Sequence, residues 1–172
     1  MEKNLRIWQW TGFTFAVVFG SLLHFVFVWT KSYALAPVSA VNESTWEHMK
    51  ILFFPLLVFA LVQSRYASEY PAFWWIKCIG ILAGVVSIPI LFYTYNGAFG
   101  ESPDWVNISI FFLSAGIAFL VETHLFKTRF APSFAVVGLI ILLIIGLLFA
   151  VFTFAPPKLP LFQDPITSRY GI

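Results

Sequence analysis

Long apolar runs, each about the length of a membrane crossing, alternate with short polar stretches along this 172-residue chain. A bilayer core about 30 Å thick is spanned by a helix of roughly 17–25 apolar residues. Five segments meet that length, near 8–30, 45–64, 72–95, 105–126 and 133–155. Lipid offers the backbone no hydrogen-bond partners, so each run is expected to be helical, and none shows the alternation of a barrel strand. Aromatic rings mark the proposed ends: Trp8, Trp10, Trp29, Trp46, Trp74, Trp75, Tyr93, Tyr95 and Trp105. A ring with one apolar and one polar edge suits the membrane interface. The pattern predicts an all-α polytopic membrane protein in which residues 1–172 form a single transmembrane domain.

Composition narrows this further. The chain is 60% hydrophobic and only 10% charged, against about 25% charged in soluble domains. A net charge of +2, with the basic residues scattered, excludes nucleic acid as a partner. Cys78 is the lone cysteine, so no internal disulfide is available and the compartment stays open on that criterion. The apolar run from Ile7 to Trp29 exceeds the roughly 7–15 residues of a signal-peptide core, and we read it as the first span.

With the amino terminus inside, Lys3, Arg6, Arg65, Lys77, Lys127 and Arg129 lie on the cytoplasmic side, and Lys31, Lys50, Lys158 and Arg169 lie opposite. This modest bias favours an N-in, C-out arrangement in the inner (plasma) membrane. Lys77 is expected to snorkel to the inner surface. His124 falls on that side too, among Glu122, Lys127 and Arg129. The outer face then gathers the end of span one, the start of span two, the loop 96–104 and the tail 156–172. The tail is proline-rich and expected to be extended. Because it carries Leu159, Leu161, Phe162 and Ile166, we expect it to fold over the outer face; adsorption onto lipid is the competing reading.

Two prolines interrupt the spans. Pro55 and Pro89 free the carbonyls of Ile51 and Val85, and kinks there would splay the outer half into an outward-open cavity. Gly80 and Gly84 form a GxxxG, and Ser114, Ala115, Gly116 and Ala118 offer a second small-residue face. Such faces serve close packing within the chain or between copies.

The candidate chemistry concentrates in Asn42-Glu43-Ser44-Thr45-Trp46-Glu47-His48-Met49-Lys50. Ser44 with Glu47 three residues on fits a capping box. That leaves His48, Glu43 and Lys50 without an assigned role. His24 lies about six residues before the end of span one, roughly 9 Å below the interface, where it is able to meet His48 if the helix faces agree. An ionisable group inside a membrane helix is costly and is expected to face a partner in the bundle. Two imidazoles and a carboxylate suit a catalytic transition metal. The candidate carboxylates are Glu43, Glu47 and Asp164; with Glu47 given to the cap, we take His24, His48 and Asp164 as candidate ligands for zinc or another divalent transition metal, with Glu47 or Glu43 as a base. A structural hydrogen-bond network and a metal-free binding or proton-transfer site are the alternatives.

The segments Gly20-Ser21-Leu22-Leu23-His24-Phe25, Val41 to Lys50, Phe92-Tyr93-Thr94-Tyr95 and Pro160 to Thr167 with Tyr170-Gly171-Ile172 resemble a family of uncharacterised bacterial multi-pass membrane proteins, a domain of unknown function. Ser44 four residues before His48, with Trp46 between, is also similar to the adiponectin-receptor and alkaline-ceramidase membrane hydrolases, whose second helix carries a serine at that spacing from a zinc-binding histidine. Those proteins have seven helices and a histidine pair in the last; this chain has five spans and no histidine after His124.

The leading expectation is an outward-facing polar pocket, built from Asn42, Glu43, His48, Lys50 and Asp164, that binds a small molecule or a lipid headgroup. The alternatives are a metal-dependent membrane hydrolase acting on a lipid-like substrate, and a structural or accessory subunit. Membrane lipids, a second copy or another membrane protein are the partners these readings imply.

Overall fold

The computed structural model describes residues 2–67, 70–128, 134 and 136–172. Its helices are α1 (Glu2–Thr30), α2 (Thr45–Ser64), α3 (Phe73–Phe99), α4 (Asp104–Lys127) and α5 (Val136–Phe154), followed by a short 3₁₀ turn at Pro160–Phe162. All five helices are long and apolar enough to cross a membrane, and no strand occurs among the described residues. The expected starts shift most at α1, because the polar residues ahead of Trp8 continue the helix. At the far end of α3, Asn96 extends the helix to Phe99: its carbonyl accepts from Gly100 N–H at 3.0 Å and its side-chain amide donates to Phe92 O at 2.8 Å. Ser133, the expected start of the last span, and Arg129, one of the inner charges, lie outside the described residues.

α2 is the central helix. Of its most apolar window 67% is buried, against 17% for α1 and 28% for α5, so the outer two present apolar side chains to lipid. Its Leu52 and Phe53 meet Ile81 of α3 and Leu142 and Phe149 of α5 in a fully buried core. In lipid such burial gains little from the hydrophobic effect, and close van der Waals fit decides the packing.

The small residues supply that fit within the chain. A Cβ added to Gly84 would stand 2.7 Å from Ala118 Cβ and 2.8 Å from Ser114 O, and one on Gly80 would stand 3.0 Å from Ala118 O. The GxxxG of α3 is therefore spent on α4, and that glycine face is not free for a partner. On the other side of the bundle Gly20 lets α1 reach the Ile51 carbonyl, which a Cβ would approach to 2.9 Å. This is the carbonyl that Pro55 leaves without its helical donor. The proline thus creates a docking point for α1 where the sequence suggested an opening.

A second expectation fails at Lys77. It does not snorkel: it is 1% exposed and its ammonium pairs with Glu122, also 1% exposed. The rings of Phe59, Phe73, Phe119 and Phe126 surround it at 5.6–5.8 Å. Gln9 of α1 joins the pair, donating from Nε2 to Glu122 Oε2 at 3.4 Å and to Thr123 Oγ1 at 3.2 Å. Lys77 points inward because Gly80 and Gly84 draw α4 close enough for Glu122 to meet it. Beyond this layer a cavity of about 260 Å³ opens at the α1 start, between Leu5, Trp8, Gln63, Tyr66 and Phe126. It lies at the opposite end of the bundle from Ser44 and His48.

Candidate functional site

Ser44 starts α2 in extended backbone (φ −66°, ψ 152°), its hydroxyl accepting from Glu47 N–H at 3.4 Å. The reciprocal half of the expected capping box is absent. Ser44 N–H donates instead to Asn42 Oδ1 at 2.9 Å. Glu47 turns its carboxylate to Val41 N–H at 3.0 Å and to the Lys50 ammonium. Lys50 is fully buried and uses its other two donors on Ala36 O at 2.9 Å and Thr153 Oγ1 at 2.6 Å. An ammonium has three donors and all three are taken. Glu47, the candidate base, and Lys50, a candidate ligand-binding group, therefore meet each other and clamp the loop between α1 and α2 against α5. Because Lys50 and Lys77 are both buried, one charge drops from each side of the positive-inside comparison.

The clamp leaves Glu43 outside, and Glu43 meets both histidines. Its Oε1 lies 3.5 Å from His24 Nε2 and its Oε2 lies 3.6 Å from His48 Nε2. The imidazole centroids are 5.4 Å apart, and one ligand atom from each of the three residues fits within a 4.8 Å group. Side-chain exposures of 25% for His24, 43% for Glu43 and 28% for His48 leave the group half-buried and reachable.

Local structure aims these groups. His48 Nδ1 lies 2.9 Å from Ser44 O. A carbonyl only accepts, so Nδ1 carries a proton in this bond, and Nε2 is the nitrogen that faces Glu43. An imidazole whose far nitrogen donates to a backbone carbonyl is the usual second-shell arrangement of a metal-binding histidine. His24 is braced edge-on by Phe25, with ring centroids 4.9 Å apart. The loop is pinned beside it, since Ala40 N–H donates to Leu23 O at 3.1 Å. Metal bonds of about 2.1 Å at tetrahedral angles put ligand atoms about 3.4 Å apart. Each histidine approaches Glu43 to about that spacing through a different carboxylate oxygen, and single ligand atoms of the three residues lie within 4.8 Å of one another.

Asp164 does not join the group. Its Oδ1 accepts from Ile166 N–H at 3.0 Å and its Oδ2 from the Thr167 hydroxyl at 2.6 Å, so it organises a turn of the tail. Of the candidate carboxylates, Glu43 is the one that lies beside the two histidines. Asn42 is set by neighbours as well: its side-chain amide donates to Gly171 O at 3.0 Å. His124 lies in the last turn of α4 with Lys127, away from α2's start.

The family model that matches describes a family of unknown function, DUF6512, and it covers residues 1–172. The chain belongs to this family. Neither the curated proteins nor the solved structures gave a match, so the adiponectin-receptor and ceramidase likeness gains no support from them.

Proposed function

We propose that this DUF6512 member is a plasma-membrane protein that binds a divalent transition metal, zinc by preference, through His24 Nε2, His48 Nε2 and the Glu43 carboxylate. The observation that carries this is the convergence of three ligand atoms within 4.8 Å on residues from α1, the loop and α2, with His48 Nδ1 already occupied by Ser44 O. Imidazole and carboxylate together suit zinc and its neighbours. Three protein ligands leave a fourth position open, as in catalytic rather than structural zinc sites.

On an N-in orientation the site faces outward at the membrane interface. Its open position then suits an anionic oxygen of a lipid headgroup. The lipid-facing character of α1 supports this access, as does the exposed pair Phe25 and Trp29, stacked at 5.6 Å beside His24. The His₂Glu set favours a second reading, hydrolysis of a lipid-like substrate. With Glu47 committed to Lys50, such a hydrolase relies on metal-bound water rather than on Glu47 as its base.

Elemental analysis of protein purified in detergent without chelator tests the proposal. Close to one zinc per chain is expected in the natural protein, with loss in His48→Ala and in Glu43→Gln. Metal-free protein that takes up no stoichiometric ion on zinc addition sinks it.

A further inference from the structure

Glu43 holds the central position in the group, yet it stands on irregular backbone and its side chain is the most exposed of the three. Its place is inherited from the residues on either side. On one side Glu47 holds Val41 N–H; on the other Ser44 caps α2. Between them Asn42 makes two bonds at once. Its Oδ1 accepts from Ser44 N–H at 2.9 Å, closing a turn around Glu43, and its Nδ2 donates to Gly171 O at 3.0 Å. That second bond joins residues 129 apart in sequence, and it ties the site to the carboxyl-terminal tail.

The tail is built to present that carbonyl. Phe162 packs on Trp46, with ring centroids 4.6 Å apart, and anchors one end of it to α2. Asp164 organises the turn that follows, where Asp164 N–H donates to Arg169 O at 2.9 Å and Gln163 pairs with Tyr170. The chain thereby doubles back so that Gly171 lies against the end of α5. Gly171 has φ +67°, and a Cβ there would stand 2.9 Å from both Thr153 O and Pro156 Cδ. Only glycine suits that conformation and that space.

We infer that the carboxyl-terminal tail is the positioning device of the His24–Glu43–His48 site: Asp164 shapes it, and Asn42 passes its position to Glu43. The inference rests on the metal reading above for its functional meaning, whereas the positioning itself is a property of the metal-free protein. Asn42, Asp164 and Gly171 touch no ligand and act through Glu43.

The test compares the natural protein with Asn42→Ala, Asp164→Ala, Asp164→Asn and a chain lacking Gly171 and Ile172. Zinc affinity is read by competition with a chromophoric chelator. The reactivity of His24 and His48 toward diethylpyrocarbonate is read without metal. Thermal unfolding reports whether each variant is folded. Outer-shell partners are typically worth 10–100-fold in metal affinity. Asn42→Ala and the shortened chain are expected to bind zinc about 10–100-fold more weakly and to carbethoxylate both histidines faster. Asp164→Asn, which keeps an acceptor for Ile166 N–H, is expected to recover part of what Asp164→Ala loses. Natural affinity in folded Asn42→Ala and in the shortened chain, with zinc lost in His48→Ala, overturns the positioning role and leaves the metal site standing. If the natural protein binds no zinc, the metal reading fails. The histidine reactivities then decide the positioning claim, which unchanged rates would refute.

Discussion

Replacing Lys77 with methionine isolates the cost of a stranded charge in the bundle. The Lys77 ammonium lies 2.5 Å from Glu122 Oε2, and both residues are 1% exposed. At an effective dielectric near 20 the gross attraction is about 7 kcal/mol. Desolvation takes back several kcal/mol for each ion, so the intact pair is nearly neutral in net stability. The single substitution is not. It leaves the Glu122 carboxylate with Gln9 Nε2 at 3.4 Å as its side-chain donor among the described residues, and breaking a buried pair costs about 3–5 kcal/mol. Lys77→Met combined with Glu122→Leu removes both desolvation costs, and its stability should return to within about 1–2 kcal/mol of the natural protein. Reversible unfolding in mixed micelles, followed by circular dichroism, measures all four corners of the cycle. A loss below about 1 kcal/mol in Lys77→Met, or a double variant as unstable as the two singles summed, refutes the reasoning.

Other substitutions probe the remaining contacts. Gly84→Leu drives a side chain into Ala118 and the Ser114 carbonyl; overpacking costs about 1–3 kcal/mol or more, and a cysteine cross-link between α3 and α4 should form more slowly in it. Lys50→Met strands Glu47 as Lys77→Met strands Glu122, with an expected loss of about 3–5 kcal/mol and a loop between α1 and α2 newly open to protease. Trp46→Ala removes a ring packed on Phe149 at 4.4 Å and Phe162 at 4.6 Å. It should cost about 3–5 kcal/mol and free the tail for carboxypeptidase digestion; a tail as resistant as in the natural protein would contradict the anchoring role of Trp46.

The helices were legible in the sequence because apolar length is the whole requirement for crossing lipid, and the positions of Trp46 and His48 at the start of α2 followed from the cap residue Ser44. Partner choice was not legible. Glu43, Glu47 and Asp164 are three carboxylates of similar chemistry, and only tertiary contacts sort them. Glu47 is claimed by Lys50, three residues on and one helical turn away, a spacing visible in the sequence. Asp164 followed by Thr167 also carried a local signal, since an aspartate that accepts from residues two and three ahead organises its own turn. Glu43 kept its freedom because the other two were satisfied nearby. Lys77 and Glu122 sit in spans three and four beside matching small-residue faces. Opposite charges in adjacent helices that pack this closely were the available sign of a buried pair, and reading Lys77 singly as a snorkelling side chain missed it.

X-ray absorption at the metal edge tests the His24–Glu43–His48 site most directly. In zinc-loaded protein the account predicts a first shell of nitrogen and oxygen near 2.0–2.1 Å, with the multiple-scattering signature of two imidazoles. It predicts one imidazole fewer in His24→Ala and in His48→Ala, and fewer oxygen contacts in Glu43→Gln. A shell without imidazole, or one that both histidine replacements leave unchanged, would contradict it.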